Sequence, residues 1–496
     1  MVRCSIAFLL ATICSCGGRS DGGARTERES SRPSTKASIG AEATDTPRPN
    51  FLIILCDDLG YGDLGCYDHP SIRTPHLDQL ASEGMRLTSC YSSAPVCSPS
   101  RVGLLTGRTP NRAGVYDYIP HNHFMHLGRE ETTIAHLLQG AGYDTAHFGK
   151  WHCNGKFNSP EQPQPGDHGF DEWFSTQNNA APSHENPKNF VRNGSPVGPL
   201  EGYACRLVAG EAIDWLEERP SPENPFFLFV CFHEPHEPVA SPKELTDSYP
   251  EAKKRGEALY YANVTNMDRA VGDLMRALDE QGLTENTLVF FTSDNGPETL
   301  NRYGSAWRSH GSPGPLRGMK LWLYEGGIRV PGIVRWPARV EPGQTTNTPV
   351  CGLDVFPTFC ELAGLPVPDD RPLDGSSVVG LLDGEPVERE TPLYWHYYSA
   401  TDDAKCAMRV GDWMILGHWD GPQFTPGGQF RRAAAAEIRK AELTSFELYN
   451  VQRDPAQKMN LAAEEPERLR RLSAMLVKKY REIRDDGPDW GPSTQR

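Results

Sequence analysis

Three unbroken apolar runs, each ending in acid–base or metal-ligating residues, constrain the fold of this chain most. Phe51-Leu52-Ile53-Ile54-Leu55-Cys56 runs into Asp57-Asp58. Phe226-Phe227-Leu228-Phe229-Val230-Cys231-Phe232 runs into His233-Glu234-Pro235-His236, and Leu288-Val289-Phe290-Phe291-Thr292-Ser293 into Asp294-Asn295-Gly296. Apolar runs without alternation read as strands buried on both faces. Open α/β sheets bind ligands outside the carboxyl ends of their strands, so clusters far apart in sequence can converge there. Between the runs, Tyr260, Val264, Met267, Val271, Leu274 and Leu278 recur at helical spacing and predict an amphipathic helix packed on the sheet. Leu207, Val208, Ala212, Trp215 and Leu216 predict a second. The alternation points to an α/β sandwich with a mostly parallel sheet. His147 reads as part of a further strand before Gly149.

The adjacent Asp57 and Asp58 are costly unless compensated. Two unit charges ~4 Å apart repel by about 4 kcal/mol at an effective dielectric of ~20. A hard cation would remove that cost, and Asp57, Asp58, Asp294 and Asn295 offer it only oxygen. A solvated turn is the ordinary reading of an Asp-Asp pair standing alone. The stretch Cys97-Ser98-Pro99-Ser100-Arg101 precedes an apolar run, Val102 to Leu105. Pro is favoured at the first helical position, which makes Ser98 the expected N-cap. Cys97 then lies just outside a helix start, where negative charge is favoured, with Arg101 one turn on.

Cys-x-Pro-Ser-Arg followed by Leu104/Leu105-Thr106-Gly107-Arg108 resembles the first signature of the type I sulfatases. Gly142-Tyr143-Asp144-Thr145-Ala146-His147-Phe148-Gly149-Lys150-Trp151-His152 is similar to their second. The resemblance implies an alkaline-phosphatase-like sandwich with a smaller C-terminal part containing a short antiparallel sheet and a helix. It implies that Cys97 is oxidised to formylglycine by a maturation enzyme. One calcium would be held by Asp57, Asp58, Asp294 and Asn295, with position 97 completing the shell. Arg101 and Lys150 would hold the formylglycine hydrate and the sulfate, and His152 would act as base. His236 would contact sulfate and protonate the leaving oxygen, and Lys320 would bind sulfate from the opposite side. One hydroxyl of the hydrate attacks sulfur, and the other then expels sulfate. The similarity is nearest to the arylsulfatase A and N-acetylgalactosamine-6-sulfatase branch, supported by Gly169-Phe170-Asp171-Glu172-Trp173-Phe174 and Tyr324-Glu325-Gly326-Gly327. It extends from Pro49 to Leu461.

The remaining expectations concern organisation and partners. Residues 1–16 resemble a secretory signal ending in a lipobox-like Ile13-Cys14-Ser15-Cys16, with Cys16 the candidate for lipidation and membrane attachment. Residues 17–48 read as a disordered tether, 49–390 as the catalytic domain and 391–496 as the C-terminal subdomain, with Leu469, Leu472, Leu476 and Ile483 on the inner face of its helix. The 13 cysteines show no CxxC pair and no obvious disulfide framework. A net charge of −15 argues against a nucleic-acid partner. An exported, tethered enzyme of this kind would act on sulfated polysaccharides or oligosaccharides. Loops 153–200 and 297–315 would frame selectivity, and Trp307, Arg308, His310 and His184 are candidate sugar contacts, each with ordinary loop packing as the alternative. His233 either lines the pocket or packs. Oligomeric state is not legible. A phosphate or phosphonate ester hydrolase of the same superfamily, and a non-catalytic calcium-dependent glycan binder, are the competing functions.

Overall fold

The computed structural model describes residues 48–490 apart from 220, 299–301, 426–427 and 489. The expected signal, Cys16 and nearly all of the tether lie outside the described residues. Four strands form the centre of a ten-stranded mixed sheet: β1 (Asn50–Asp57), β2 (Asp144–Lys150), β3 (Phe226–Pro235) and β4 (Thr287–Ser293). Their spatial order is β4-β1-β3-β2, and every neighbouring pair is parallel. Antiparallel pairing enters only farther out, at Gly332–Arg335 beside β4 and at Val191–Arg192 and Ser195–Pro196 near the opposite end.

Side chains alternate across a strand, which explains why the central runs are apolar throughout. Phe51, Ile53 and Leu55 join Phe227, Phe229, Leu288 and Phe290 in one core. Leu52, Ile54 and Cys56 join Leu228, Val230, Val289 and Phe291 in the other. The second core is closed by two helices, Ala204–Glu218 and Arg255–Glu280. All six residues of the expected stripe from Tyr260 to Leu278 are buried there. The first core is covered by helices Cys97–Thr106 and Val355–Leu362 and by the C-terminal elements.

Those elements are a four-stranded antiparallel sheet, starting at Leu393 and ending at Asn450, and helix Pro466–Asp486. Leu472, Leu476, Tyr480 and Ile483 are the helix's buried face, with Leu469 packed at its margin. The ten cysteines of the described residues are all unpaired, and all but Cys66 are buried. Among the described residues, no helix is long and apolar enough to cross a membrane.

Candidate active site

The carboxyl ends of the four central strands deliver the site. β1 ends in Asp57 and Asp58, β4 leads into Asp294 and Asn295, β3 into His236, and β2 into Lys150 and His152. Asp58 takes a left-handed φ of 66° and His152 one of 54°, conformations uncommon outside glycine. Gly149 is required in β2: at φ 106°, an added Cβ would stand 1.9 Å from the Cys231 carbonyl oxygen of β3.

Helix Cys97–Thr106 points its first turn into this cluster. It begins two residues earlier than expected. Val96, not Ser98, holds the N-cap position, and Cys97 is the first helical residue. Pro99 is tolerated inside the first turn because its missing N–H would have had no intrahelical partner. Ser98 instead accepts a hydrogen bond from the Ile119 amide (3.0 Å). Burial pushes the Cys97 thiol up to about 11, so as a plain thiol it is protonated and weakly nucleophilic at neutral pH.

Three buried carboxylates face three buried cations. Lys150 Nζ donates to Asp57 Oδ2 (2.6 Å) and Lys320 Nζ to Asp58 Oδ2 (2.8 Å). Arg101 donates from Nε and Nη2 to Asp294 Oδ2 (2.9 and 2.8 Å) and from Nη1 to the Lys150 carbonyl (2.8 Å). Burial alone would raise Asp57, but Lys150, His236, Arg101 and Lys320 together hold it well below the usual carboxylate range. Burial, and then the charge of Asp57, push Asp294 up to about 7 against the pull of Arg101. Lys320 shows the converse balance: burial favours its neutral form, but Asp58 and Glu298 outweigh this and keep it charged.

A cation fits among these residues. Asp57 Oδ1 and Asn295 Oδ1 are buried with no hydrogen-bond partner, which is costly for polar oxygens left alone. Asn295 turns its Nδ2 to Asp58 Oδ1 (2.7 Å), leaving its own oxygen free. The ligand atoms of Asp57, Asp58 and His236 also lie close enough together to hold one ion. The sequence expectation did not include His236 in the metal set. Asp294, which it did include, already accepts from Arg101 through Oδ2 and from the Asp58 amide through Oδ1 (3.2 Å).

A cavity of about 400 Å³ opens over the cluster. Cys97, His152, His236 and Lys320 line it; Arg101 and Lys150 do not. Arg101 and Lys150 were expected to hold the formylglycine hydrate and the sulfate; Lys150 Nζ instead lies on Asp57. The structure likewise turns three N–H groups of Arg101 on Asp294 and Lys150, because a fully buried guanidinium beside a carboxylate and a carbonyl satisfies its donors there. The His152 Nε2 lies 3.1 Å from the Ile119 carbonyl, which can only accept. Nε2 therefore carries the proton, and Nδ1, which has no partner, carries the lone pair. Burial, reinforced by Lys150 and Arg101, holds His152 well below its usual pKa and so neutral. By the same logic His236 donates from Nδ1 to the Glu237 carbonyl (2.6 Å) and turns Nε2 towards Asp58 Oδ2 at 3.5 Å.

None of the four candidate sugar contacts lines this cavity. His184 is fully buried beside Asn263 and Glu234. Arg308 is paired with Glu237, His310 contacts the Trp307 carbonyl, and Trp307 is 45% exposed outside the lining. His233 packs, with Nε2 on Thr176 Oγ1 (2.7 Å). The outer wall is built instead by Tyr118, Asn178, Asn179, Arg302, Tyr303 and Ser305. All but Tyr118 fall in the two loops that the sequence marked for selectivity. No periodicity or motif distinguishes them within those loops.

A pocket that sets Lys320, Arg302 and a neutral His152 over buried acids, with Cys97 at a helix start, suits a hydrolase of anionic esters. The sulfatase family model matches residues 49–365, and the N-sulphoglucosamine sulphohydrolase C-terminal model matches residues 319–412. Arylsulfatase A of Homo sapiens is 35% identical over 477 residues, covering 90% of each chain. N-acetylgalactosamine-6-sulfatase of Canis lupus familiaris is 33% identical over 460 residues, covering 86% of this chain and 84% of that one. The crystal structure of Ps i-CgsB in complex with k-i-k-neocarrahexaose aligns with a TM-score of 0.74 at 26% identity, covering 90% of this chain and 95% of that one. The chain belongs to the sulfatase family and is a sulfuric ester hydrolase.

Proposed function

We propose that this sulfatase removes sulfate from sulfated polysaccharides or oligosaccharides, using formylglycine made from Cys97 by a maturation enzyme and one bound calcium ion. The observation that carries the reading is the placement of Cys97, His152, His236 and Lys320 around one cavity above the Asp57–Asp58–Asn295 cluster. Its 400 Å³ lies within the range of clefts that enclose a whole small ligand, which leaves room for a sugar behind the sulfate. A relative that acts on a sulfated amino sugar by name, and a structural neighbour that holds a neocarrahexaose, support a carbohydrate substrate.

Asp57, Asp58 and Asn295 would hold the calcium, with Asp294 beside it; when bound, the ion would supply Lewis acidity at position 97. Formylglycine would supply, as its hydrate, one hydroxyl to replace the sugar oxygen on sulfur and a second to restore the aldehyde as sulfate departs. Lys320 binds the sulfate oxygens and opposes the charge that grows on them. His236 Nε2, when protonated, gives its proton to the departing sugar oxygen. His152 Nδ1 takes the proton that must leave for sulfate to be expelled. Lys150 and Arg101 fix the acids rather than touch the ester.

Residues 49–390 act as the catalytic domain and 391–496 as the C-terminal subdomain. Export behind the 1–16 segment, with lipidation at Cys16, would place the enzyme beside external glycans. The test is inorganic sulfate release from a panel of sulfated saccharides by protein confirmed to carry formylglycine at 97, with a Cys97→Ala control. Release that vanishes in the control is expected. Release that survives it, or its absence from every saccharide, would overturn the proposal.

A further inference from the structure

We propose that Arg302 binds a second anionic group on the substrate, a carboxylate or a further sulfate, and so selects sulfated sugars that carry another negative charge near the ester. This rests on the carbohydrate sulfatase reading above and names its substrate class more closely.

Arg302 lines the same cavity as Cys97. Its side chain is partly exposed, whereas Glu298 beneath it is buried. Nε and Nη2 donate to the two Glu298 oxygens at 2.9 and 2.7 Å. The guanidinium carbon also lies 4.9 Å from the centre of the Tyr303 ring. Two hydrogen bonds and a ring contact fix the plane of the group in advance. Nη1 donates to none of the described residues. A guanidinium fixed in this way, with an open edge in a pocket, is suited to an oxyanion, since its donors match carboxylate and sulfate oxygens.

The other charged groups of the lining have partners of their own. Lys320 is bound to Asp58, His236 faces the same carboxylate, and Glu237 is paired with Arg308. Glu298 does not fully neutralise Arg302, because it also lies 3.5 Å from Lys320 Nζ. Arg302 is therefore the cation of the wall that is not tied to the acids at the strand ends. A sulfate held by Lys320 leaves it facing whatever the sugar carries next.

The experiment compares kcat/KM of formylglycine-bearing wild type, Arg302→Gln and Arg302→Lys. The probes are 4-nitrophenyl sulfate, hexosamine 6-sulfates, the same sugars with a second sulfate, and 6-sulfated disaccharides joined to a uronic acid. Wild type should prefer the probes with two anionic groups. Arg302→Gln should lower the dianion-to-monoanion ratio of kcat/KM roughly 10- to 100-fold, the value of a hydrogen-bonded charge, mainly through KM. Arg302→Lys should keep part of the preference. The disulfated and uronic-acid arms show which second anion is bound. An equal fall on every probe would mean that Arg302 acts through Glu298 on Lys320, and would overturn the proposal, as would an unchanged ratio. Wild type that hydrolyses aryl sulfate but no saccharide would instead overturn the carbohydrate reading, and the proposal with it.

Discussion

Arg101 grips Asp294 through two N–H groups on one oxygen, Nε and Nη2 on Oδ2 at 2.9 and 2.8 Å, with both side chains buried. The pair joins the Cys97 helix to the end of β4. Its Nη1 adds the end of β2 through the Lys150 carbonyl. The arginine of the signature thus ties three separate segments together.

Arg101→Ala should therefore cost stability as well as activity. Removing one partner of a buried pair typically destabilises by about 3–5 kcal/mol. Urea denaturation of the variant should show a loss of that order. A variant as stable as wild type, inactive or not, would show that Arg101 is not a structural tie.

His152 is held neutral, with its Nδ1 lone pair free to accept a proton. Loss of a positioned acid–base group typically costs about 10²- to 10⁴-fold, and His152→Ala should lower kcat by that order. Burial, Lys150 and Arg101 depress its pKa, so the base form persists as pH falls through the ordinary histidine range. The acid limb of the wild-type kcat profile assigned to this group should lie below pH 6.5. A limb above that value, lost in the variant, would contradict the assignment.

The proposed calcium binding has a readout independent of turnover. An ion that binds only the folded chain stabilises it by about 2.7 kcal/mol at a hundredfold excess over Kd. Added calcium should raise the wild-type melting temperature, and chelation should lower it. Asp57→Asn, which replaces the carboxylate bearing the orphaned Oδ1, should lose most of that response. An equal calcium shift in both proteins would rule out Asp57 as a ligand.

Asp117 offers a pH test away from the reacting atoms. Tyr397 and Tyr398 hydroxyls donate to it at 2.9 and 2.7 Å, and the Tyr118 amide at 2.8 Å. Burial outweighs these donors and pushes its carboxyl from 3.8 up to about 7. With the folded value above the unfolded one, its contribution is full below about pH 4 and is lost as pH rises through about 7. The gap corresponds to on the order of 4 kcal/mol. Unfolding free energy measured at pH 5 and pH 8 should fall less in Asp117→Asn than in wild type; parallel losses would refute this.

The central strands were legible because burial on both faces leaves long apolar runs, and the strand ends were legible because polar residues stop those runs. The long helix was legible from its stripe at Tyr260 to Leu278. The start of the Cys97 helix was not, since a proline within the first turn is compatible with more than one register. Nor was the role of Arg101: sequence shows a cation near the cysteine but not which carboxylate, 193 residues away, takes its donors. Asn178, Arg302 and Tyr303 lie in irregular segments without periodicity, so their place in the wall comes only from the path of the backbone. Trp307, Arg308, His310 and His184 were attractive by residue type alone, and local partners hold three of them elsewhere.

Asp57, Asp58, Asp294, Lys150 and His236 all hang from the ends of four adjacent parallel strands, whereas Arg302, Tyr303, Asn178 and Tyr118 hang from loops. The residues proposed for bond cleavage and those proposed for substrate choice are thus anchored in parts of the molecule with different tolerance for change. Inheritance can rewrite the outer wall, one loop residue at a time, without disturbing the register on which the chemistry depends.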